Sequence, residues 1–234
     1  MSYINKPVNS GKIWYSPLNV YWHLQKLQQK VAPEYIEKRR EYQIVREARI
    51  GAVTALAMFE LTGKPAYIQL YKPDPPDVLV LQPSNKIKGQ MDISLLEITT
   101  YVGQPKDTLL EQLKRTKCPP NFHKYSERYV IVVNVGIGLE AQFEPIRKYL
   151  NENKTPFPVW TLQQISNYPD TLAELVIINP ETKRIKVNVG EAVHIYEEAG
   201  LPDVLHIRQT ANPDNVRSEP AGKFYKAPWE TIGK

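Results

Sequence analysis

The chain has 234 residues, of which 42% are hydrophobic and 24% are charged, and its formal net charge is +5. This length suits one sizeable domain, or one domain with appendages, and the composition is that of an ordinary globular protein. No apolar run approaches the roughly 20 residues of a membrane-spanning helix, and no signal peptide is visible, so we expect no membrane partner. The single cysteine, Cys118, permits neither an internal disulfide nor a cysteine-based zinc site, and we expect a reducing, cytoplasmic location.

The positive charge is concentrated in the first 50 residues. They hold nine Lys or Arg side chains against four acids, so that the whole net charge of +5 comes from this region. Such a region suits contact with a phosphate backbone, although a solvated helix surface explains the charge as well. The aromatic residues of the same region fit either base stacking or helix packing: Trp14, Tyr15, Tyr21 and Trp22.

Helices are predicted in the first quarter of the chain. Ser16-Pro17 has the form of an N-cap followed by proline at the first helical position, and a helix to about Val31 follows. Ala32-Pro33 starts a second and longer helix, which runs to about Leu61 and is ended by Thr62-Gly63. The second half of that helix is rich in small and apolar residues, which indicates that it lies close against a sheet.

Strands and helices then alternate along the chain. The patterns predict strands at 66–70, 77–81, 92–102, 129–135 and 159–165, helices at 107–116 and 139–151, and a hairpin of 175–178 with 184–187. From about residue 200 the chain is proline-containing and aperiodic, so we expect a loosely ordered tail or an arm used in association, as in a homo-oligomer. The prediction is an α/β domain with a mixed central sheet flanked by helices: 1–32 as an N-terminal helical extension, 33–199 as the core and 200–234 as the tail.

Two acidic residues lie on adjacent predicted strands. Asp77 follows Pro76 at the start of one strand, and Glu97 lies within the next. Both strands are mostly apolar, so a carboxylate inside either must be hydrated, paired or metal-bound. Two such acids can converge on one divalent cation, most naturally Mg²⁺ or Mn²⁺, which can bind a phosphodiester oxygen, activate water and stabilise developing charge.

These residues resemble the PD-(D/E)XK nuclease-like (restriction endonuclease-like) superfamily. Its αβββαβ core has a Pro-Asp motif on one strand, matched by Pro76-Asp77, and an acid-X-Lys motif on the next, matched by Glu97-Ile98-Thr99. The family often adds a glutamate on the preceding helix, and Arg46-Glu47-Ala48-Arg49 is similar to that element. The order of elements from about Glu34 to Leu162 is similar to the family core.

The resemblance implies a metal-dependent nuclease, or a nuclease-like protein, that acts on phosphodiester bonds of DNA. Asp77 and Glu97 would bind the Mg²⁺ or Mn²⁺ ion. Glu47 would be a further ligand or would orient the attacking water. The expected partner is therefore nucleic acid, and DNA in particular.

Position 99 departs from the motif, because Thr99 stands where the family has its lysine. Threonine cannot position water or neutralise charge as an ammonium does. The motif lysine is known to migrate within this family, and the expected replacements are Lys114 on the next helix and Lys72 before the Pro-Asp strand, with Gln112 as another polar contributor. If no lysine reaches the metal, the chain is a catalytically inactive nuclease-fold protein that serves as a nucleic-acid-binding or assembly module.

The candidate acids also fit purely structural roles. Asp77 fits a turn-capping role, Glu97 a solvent-facing position, and Glu47 a surface pair with a neighbouring arginine. A rival motif, Gly136-Ile137-Gly138, has the form of a dinucleotide-binding fingerprint. It comes too late to complete a doubly wound domain, and the next strand ends in Gln163-Gln164 instead of an acid, so a tight turn explains it better.

Overall fold

In the described part of the chain, ten strands form one sheet, which is flanked by six helices. The computed structural model describes residues 12–70, 76–85, 90–103, 107–119, 125–136, 138–165, 172–208 and 217–220. The helices are α1 Pro17–Gln28, α2 Pro33–Lys38, α3 Gln43–Thr62, α4 Leu109–Thr116, α5 Phe143–Glu152 and α6 Val189–Glu198. The strands are β1 Lys12–Tyr15, β2 Tyr67–Leu70, β3 Val78–Pro83, β4 Met91–Tyr101, β5 Tyr129–Val135, β6 Val159–Gln164, β7 Leu172–Ile177, β8 Lys183–Asn188, β9 Val204–Arg208 and β10 Arg217–Pro220.

The sheet is mixed, with the strand order β10-β9-β1-β2-β3-β4-β5-β6-β7-β8. Strands β4, β5 and β6 are parallel, and the remaining neighbours are antiparallel. Parallel neighbours need crossover connections, which here contain α4 and α5. The prediction of an α/β domain with a mixed sheet flanked by helices is therefore confirmed. No helix in the described part of the chain is long and apolar enough to cross a membrane.

Helix α3 lies close against one face of the sheet because its inner side carries small residues. A Cβ atom on Gly51 would lie 2.8 Å from Cγ1 of Val78, so the helix backbone contacts the first residue of β3. Near the other end of β3, the Gln82 side-chain amide donates to Thr62 Oγ1 at 2.6 Å. Helix α3 thus runs parallel to β3, and its N-terminal end lies beyond the start of that strand.

The opposite face of β5 is covered by α4 and α5. Leu109 and Leu113 of α4 form a buried cluster with Ile131 and Val133 of β5, and Ile146 of α5 belongs to the same cluster. Side chains alternate between faces along a strand. Residues of β4 with even numbers, such as Leu96, lie beneath α3. Those with odd numbers therefore lie on the α4 side.

The single long helix predicted from Pro33 to Leu61 is wrong, because the helix breaks at Arg39. The backbone of that residue is extended, with ψ at 138°, and a 3₁₀ turn, Arg40–Tyr42, separates α2 from α3. The break leaves carbonyl groups without intrahelical partners. The Arg46 guanidinium donates to two carbonyl oxygens at the break, that of Ile36 at 2.6 Å and that of Arg39 at 2.9 Å, and the Arg39 oxygen also accepts from the Tyr42 amide at 3.2 Å.

The ends of the chain contribute elements that the patterns did not predict. Strand β1 lies between β2 and β9, and α6 follows the β7–β8 hairpin. The loosely ordered tail expected from residue 200 is wrong for 204–208 and 217–220, which are strands β9 and β10. Residues 209–216 and 221–234 lie outside the described residues. The division at residues 32 and 199 stays a prediction.

Candidate functional site

Asp77 lies just before β3 and is tied to the backbone of β4. Its amide donates to the Leu96 carbonyl oxygen at 3.0 Å, and its Oδ2 accepts from the Ile98 amide at 2.7 Å. These two hydrogen bonds lie on either side of Glu97 in the sequence of β4. The structure therefore brings Asp77 and Glu97 to neighbouring positions on adjacent strands, and the Asp77 carboxylate also accepts from the backbone of β4. The turn-capping alternative for Asp77 stays a prediction.

Glu97 is buried, with 4% of its surface exposed. Its Oε1 forms an ion pair with the Lys117 ammonium and accepts a hydrogen bond from the Tyr125 hydroxyl at 3.1 Å. Its Oε2 is also buried and has no hydrogen-bond partner among the described residues. The solvent-facing interpretation of Glu97 is therefore wrong. A buried carboxylate oxygen without a partner is costly, so this atom is a candidate ligand for a cation.

Lys117 reaches Glu97 from the end of α4. Leu109 and Leu113 form the buried stripe of that helix, and Lys117 follows at the same spacing of four residues. The Lys117 amide donates to the Leu113 carbonyl at 3.0 Å, so the helical pattern continues by one residue. The side chain therefore points inward, and 18% of its surface remains exposed. This lysine was not predicted from the sequence. A cation on an otherwise apolar helical stripe was the signal that could have identified it.

Lys114, the lysine expected from the sequence, contacts other groups. Its ammonium pairs with Glu111 at 3.0 Å and lies 5.2 Å from the centre of the Tyr149 ring. Gln112, on the same helix, donates to the Thr100 carbonyl oxygen at 2.9 Å. The other expected replacement, Lys72, lies outside the described residues. Among the described lysines, the one in contact with Glu97 is thus Lys117, about one helical turn beyond Lys114.

Glu47 lies on the opposite side of the sheet from the partners of Glu97. It is in the second turn of α3, about one turn before Gly51, and it accepts a hydrogen bond from the Gln43 side-chain amide at 2.7 Å. Because Gly51 lies over Val78 and α3 is parallel to β3, Glu47 is at the end of the sheet where Asp77 lies. The described residues contain no group of three or more His, Cys, Asp or Glu side chains placed to hold one metal ion.

The remaining sequence candidates have structural roles. Gly138 has a positive φ of 77°, and the Gly136 amide donates to the Tyr101 carbonyl at 3.1 Å, so these glycines form a turn packed against the end of β4. Helix α5 begins only at Phe143, so they do not form the helix N-terminus that holds a pyrophosphate. Burial raises the pKa of the Cys118 thiol to about 12, which keeps it protonated at neutral pH.

Comparison of the chain with models of protein families, with curated proteins and with solved structures found no match. A functional assignment must therefore come from the side chains and their geometry. The features that carry chemical information are the Asp77–Glu97 pair, the Lys117 and Tyr125 groups on one Glu97 oxygen, and the partnerless state of the other oxygen among the described residues.

Proposed function

We propose that this chain is a metal-dependent nuclease, or a nuclease-like protein, that acts on phosphodiester bonds of DNA. The observation that carries the proposal is the environment of Glu97. The carboxylate is buried beside Asp77, one of its oxygens is held by an ammonium and a hydroxyl, and the other has no partner among the described residues. Most buried side-chain oxygens in folded proteins have a hydrogen-bond partner, so the state of Oε2 favours a bound group at this position.

The order and direction of the elements support a restriction endonuclease-like core. Helix α3 is followed by the antiparallel meander β2–β3–β4, then by α4, and then by β5, which is parallel to β4. This is an αβββαβ sequence of elements. The Pro-Asp pair lies at the start of the second strand of the meander, and Glu97 lies in the third.

The donor set fits a hard divalent cation. Asp77 and Glu97 would hold Mg²⁺ or Mn²⁺ through carboxylate oxygens, which these ions prefer. When bound, such an ion polarises a phosphodiester and favours deprotonation of the attacking water. The backbone hydrogen bond from Ile98 fixes the orientation of the Asp77 carboxylate before any ion arrives. Glu47, from the α3 side, is proposed to orient the water or add a ligand at the same end of the sheet.

Lys117 is proposed to supply the positive charge that Thr99 cannot. Thr99 and Glu97 are two residues apart on β4 and lie on the same face, where α4 packs. The Lys117 ammonium enters that face from the end of α4 and contacts Glu97 directly. Together with the Tyr125 hydroxyl, it holds Oε1 of Glu97 and leaves Oε2 to a cation. Lys117 thus takes the role that the sequence assigned to Lys114.

The second candidate function is a catalytically inactive nuclease-fold protein that binds nucleic acid or serves in assembly. The Glu97–Lys117 ion pair favours it, because the ammonium already neutralises the carboxylate that a metal would need. Thr99 favours it as well, since the motif position itself carries no charge. The two functions differ in whether the phosphodiester is cut.

A plasmid-nicking assay with Mg²⁺ or Mn²⁺ separates the two functions. Wild type is compared with Asp77→Ala and Glu97→Ala, and with Glu144→Ala as a matched control, since Glu144 is an exposed acid on α5. We expect nicking that needs the metal, survives in Glu144→Ala and is lost in both site variants. Nicking that survives in Asp77→Ala and Glu97→Ala would refute the site. DNA binding without any nicking by wild type would select the second function.

A further inference from the structure

The surface formed by α1, α2 and the 3₁₀ turn carries cations that have no ion pair among the described residues. We define this cationic surface by four exposed side chains: Lys26, Lys30, Lys38 and Arg40. Five cations of the α4–α5 side form ion pairs instead: Lys114, Arg115, Lys117, Arg147 and Lys148. Exposed cations without an ion pair among the described residues also occur elsewhere, as at Lys154, Lys183 and Lys186, so this surface differs in combining four of them on consecutive elements with exposed aromatic side chains.

The arginines and acids around the cationic surface are largely paired with each other. Arg49 pairs with Glu37, and Arg39 lies 3.6 Å from Glu41. Arg46 is held by backbone carbonyls at the break between α2 and α3. Glu34 is the one acid of α2 with no ion pair among the described residues. Four unpaired cations against one such acid leave an excess of positive charge that faces solvent.

Exposed aromatic side chains accompany these cations. Trp22 is 46% exposed and lies one helical turn before Lys26 on α1. Tyr35 is 50% exposed, and the Arg39 guanidinium lies 4.1 Å from the centre of its ring. Helix α1 packs on the core through its other side, through residues such as Val20 and Leu24, so core packing does not explain Trp22. Flat aromatic groups beside cations suit a nucleic acid, which offers both phosphates and bases.

The cationic surface lies at the end of the sheet that carries the candidate site. Arg40 precedes the N-terminus of α3, and Gly51, nine positions into that helix, lies over Val78 beside Asp77. The helix between Gln43 and Gly51 is about 12 Å long, which corresponds to roughly three to four base pairs of duplex DNA. A duplex held by these cations would therefore extend past the Asp77 end of β3.

We propose that the cationic surface binds the phosphate backbone of DNA and presents the strand to the Asp77–Glu97 site. This inference rests on the proposed function for its substrate, but it concerns binding and needs neither metal nor cleavage. Each cation would displace a condensed counterion from the DNA, so the affinity depends on salt concentration in proportion to the number of contacts. DNA is preferred to an anionic membrane as the partner because the cationic surface lies at the end of the sheet that carries the Asp77–Glu97 site.

The test measures binding of a fluorescent 25-base-pair duplex by anisotropy, in EDTA and over a series of salt concentrations. One variant replaces the cationic surface: Lys26→Gln, Lys30→Gln, Lys38→Gln and Arg40→Gln. A matched control removes the same charge from exposed lysines elsewhere: Lys148→Gln, Lys154→Gln, Lys183→Gln and Lys186→Gln. Circular dichroism and a thermal melt check that both variants are folded, and all eight positions are exposed.

We expect the slope of log affinity against log salt to fall by about 4 in the first variant, roughly one for each phosphate that the variant no longer neutralises. The affinity at 0.1 M salt should fall at least about tenfold, with a smaller change in the control variant. Equal slopes in the two variants would overturn the inference, as would absence of DNA binding by wild type in EDTA. So would selective loss of binding to phosphatidylserine vesicles with DNA binding unchanged.

The same experiments can refute the proposed catalytic function and the proposed DNA-binding surface independently of each other. Wild type that binds DNA through this surface but never nicks it would support the inference and refute the catalytic proposal. Wild type that nicks DNA, with equal salt slopes in both variants, would refute the inference and leave the catalytic proposal intact.

Discussion

Replacement of Lys117 by methionine should destabilise the protein much more than replacement of its partner. Lys117→Met keeps the length of the side chain but leaves the Glu97 carboxylate, 4% exposed, without its ion pair. Loss of one member of a fully buried pair costs about 3–5 kcal/mol. The Tyr125 hydroxyl still donates to Glu97, and Lys117 is 18% exposed, so we expect a smaller loss, of about 2–4 kcal/mol in the free energy of unfolding.

Glu97→Gln is the informative counterpart. The amide oxygen can still accept from Tyr125, and the Lys117 ammonium can turn toward water, so the expected loss is about 1 kcal/mol. The double variant should be close to Glu97→Gln alone, because no buried charge remains. This corresponds to a coupling energy of about 2–4 kcal/mol between the two positions, equal to the loss expected for Lys117→Met alone.

Urea unfolding followed by circular dichroism measures these free energies, with Lys114→Met as the matched control on the same helix. The exposed Lys114–Glu111 pair should contribute about 0.5 kcal/mol or less. A loss below about 0.5 kcal/mol for Lys117→Met, or additive losses in the double variant, would refute the reasoning that Glu97 is a buried charge held by Lys117. Addition of Mg²⁺ should stabilise Lys117→Met more than Glu97→Gln if the Glu97 oxygens bind the ion.

Other positions give independent tests of the structure. Gly51→Ala should lower the unfolding free energy by about 1 kcal/mol, because the new Cβ would lie 2.8 Å from Cγ1 of Val78, although alanine has the higher helix propensity. In a Val78→Ala background, urea unfolding should show no loss from the same substitution. Arg46→Met should cost about 1–3 kcal/mol, since the Ile36 carbonyl loses the guanidinium donor, while the Arg39 carbonyl keeps only the Tyr42 amide. A loss as small as that of an exposed control, Arg147→Met, would contradict this. Burial raises the pKa of the Cys118 thiol to about 12, so the unfolded chain releases this proton at lower pH than the folded protein does. The unfolding free energy should therefore fall as the pH rises above about 9, by up to about 1.4 kcal/mol per pH unit, and Cys118→Val should remove this slope between about pH 9 and 10.

The central part of the fold could be predicted because local patterns determine it. The run of β-branched residues from Tyr129 to Val135 predicted β5 with both ends correct, since such a run suits a strand buried on both faces. The proline-marked turn between β3 and β4 made those strands neighbours, and this placed Asp77 beside Glu97. The proximity of the two acids could therefore be predicted from the sequence.

The parts that could not be predicted depend on contacts between distant segments. Strand β1 has four residues and is defined by its pairing with β9, nearly 190 residues later in the chain. The break at Arg39 has no proline or glycine to announce it, and it is stabilised by the Arg46 guanidinium, a tertiary contact. Lys117 was not predicted because the motif of the resembled family has its lysine on β4, at the position of Thr99. The ammonium that contacts Glu97 comes instead from the end of α4, in the connection between β4 and β5.

The position of β1 has a consequence for the order in which the chain can fold. This strand is the first described segment of the sequence, yet it lies inside the sheet, between β2 and β9. Among the described residues, Tyr15 alone pairs with β2, through Ile68, whereas four residues pair with β9. During synthesis β1 must therefore wait for almost the whole chain to leave the ribosome before its main partner exists. Strands β1 and β9 would then pair last. A chain truncated before residue 204 should therefore lack the main partner of β1.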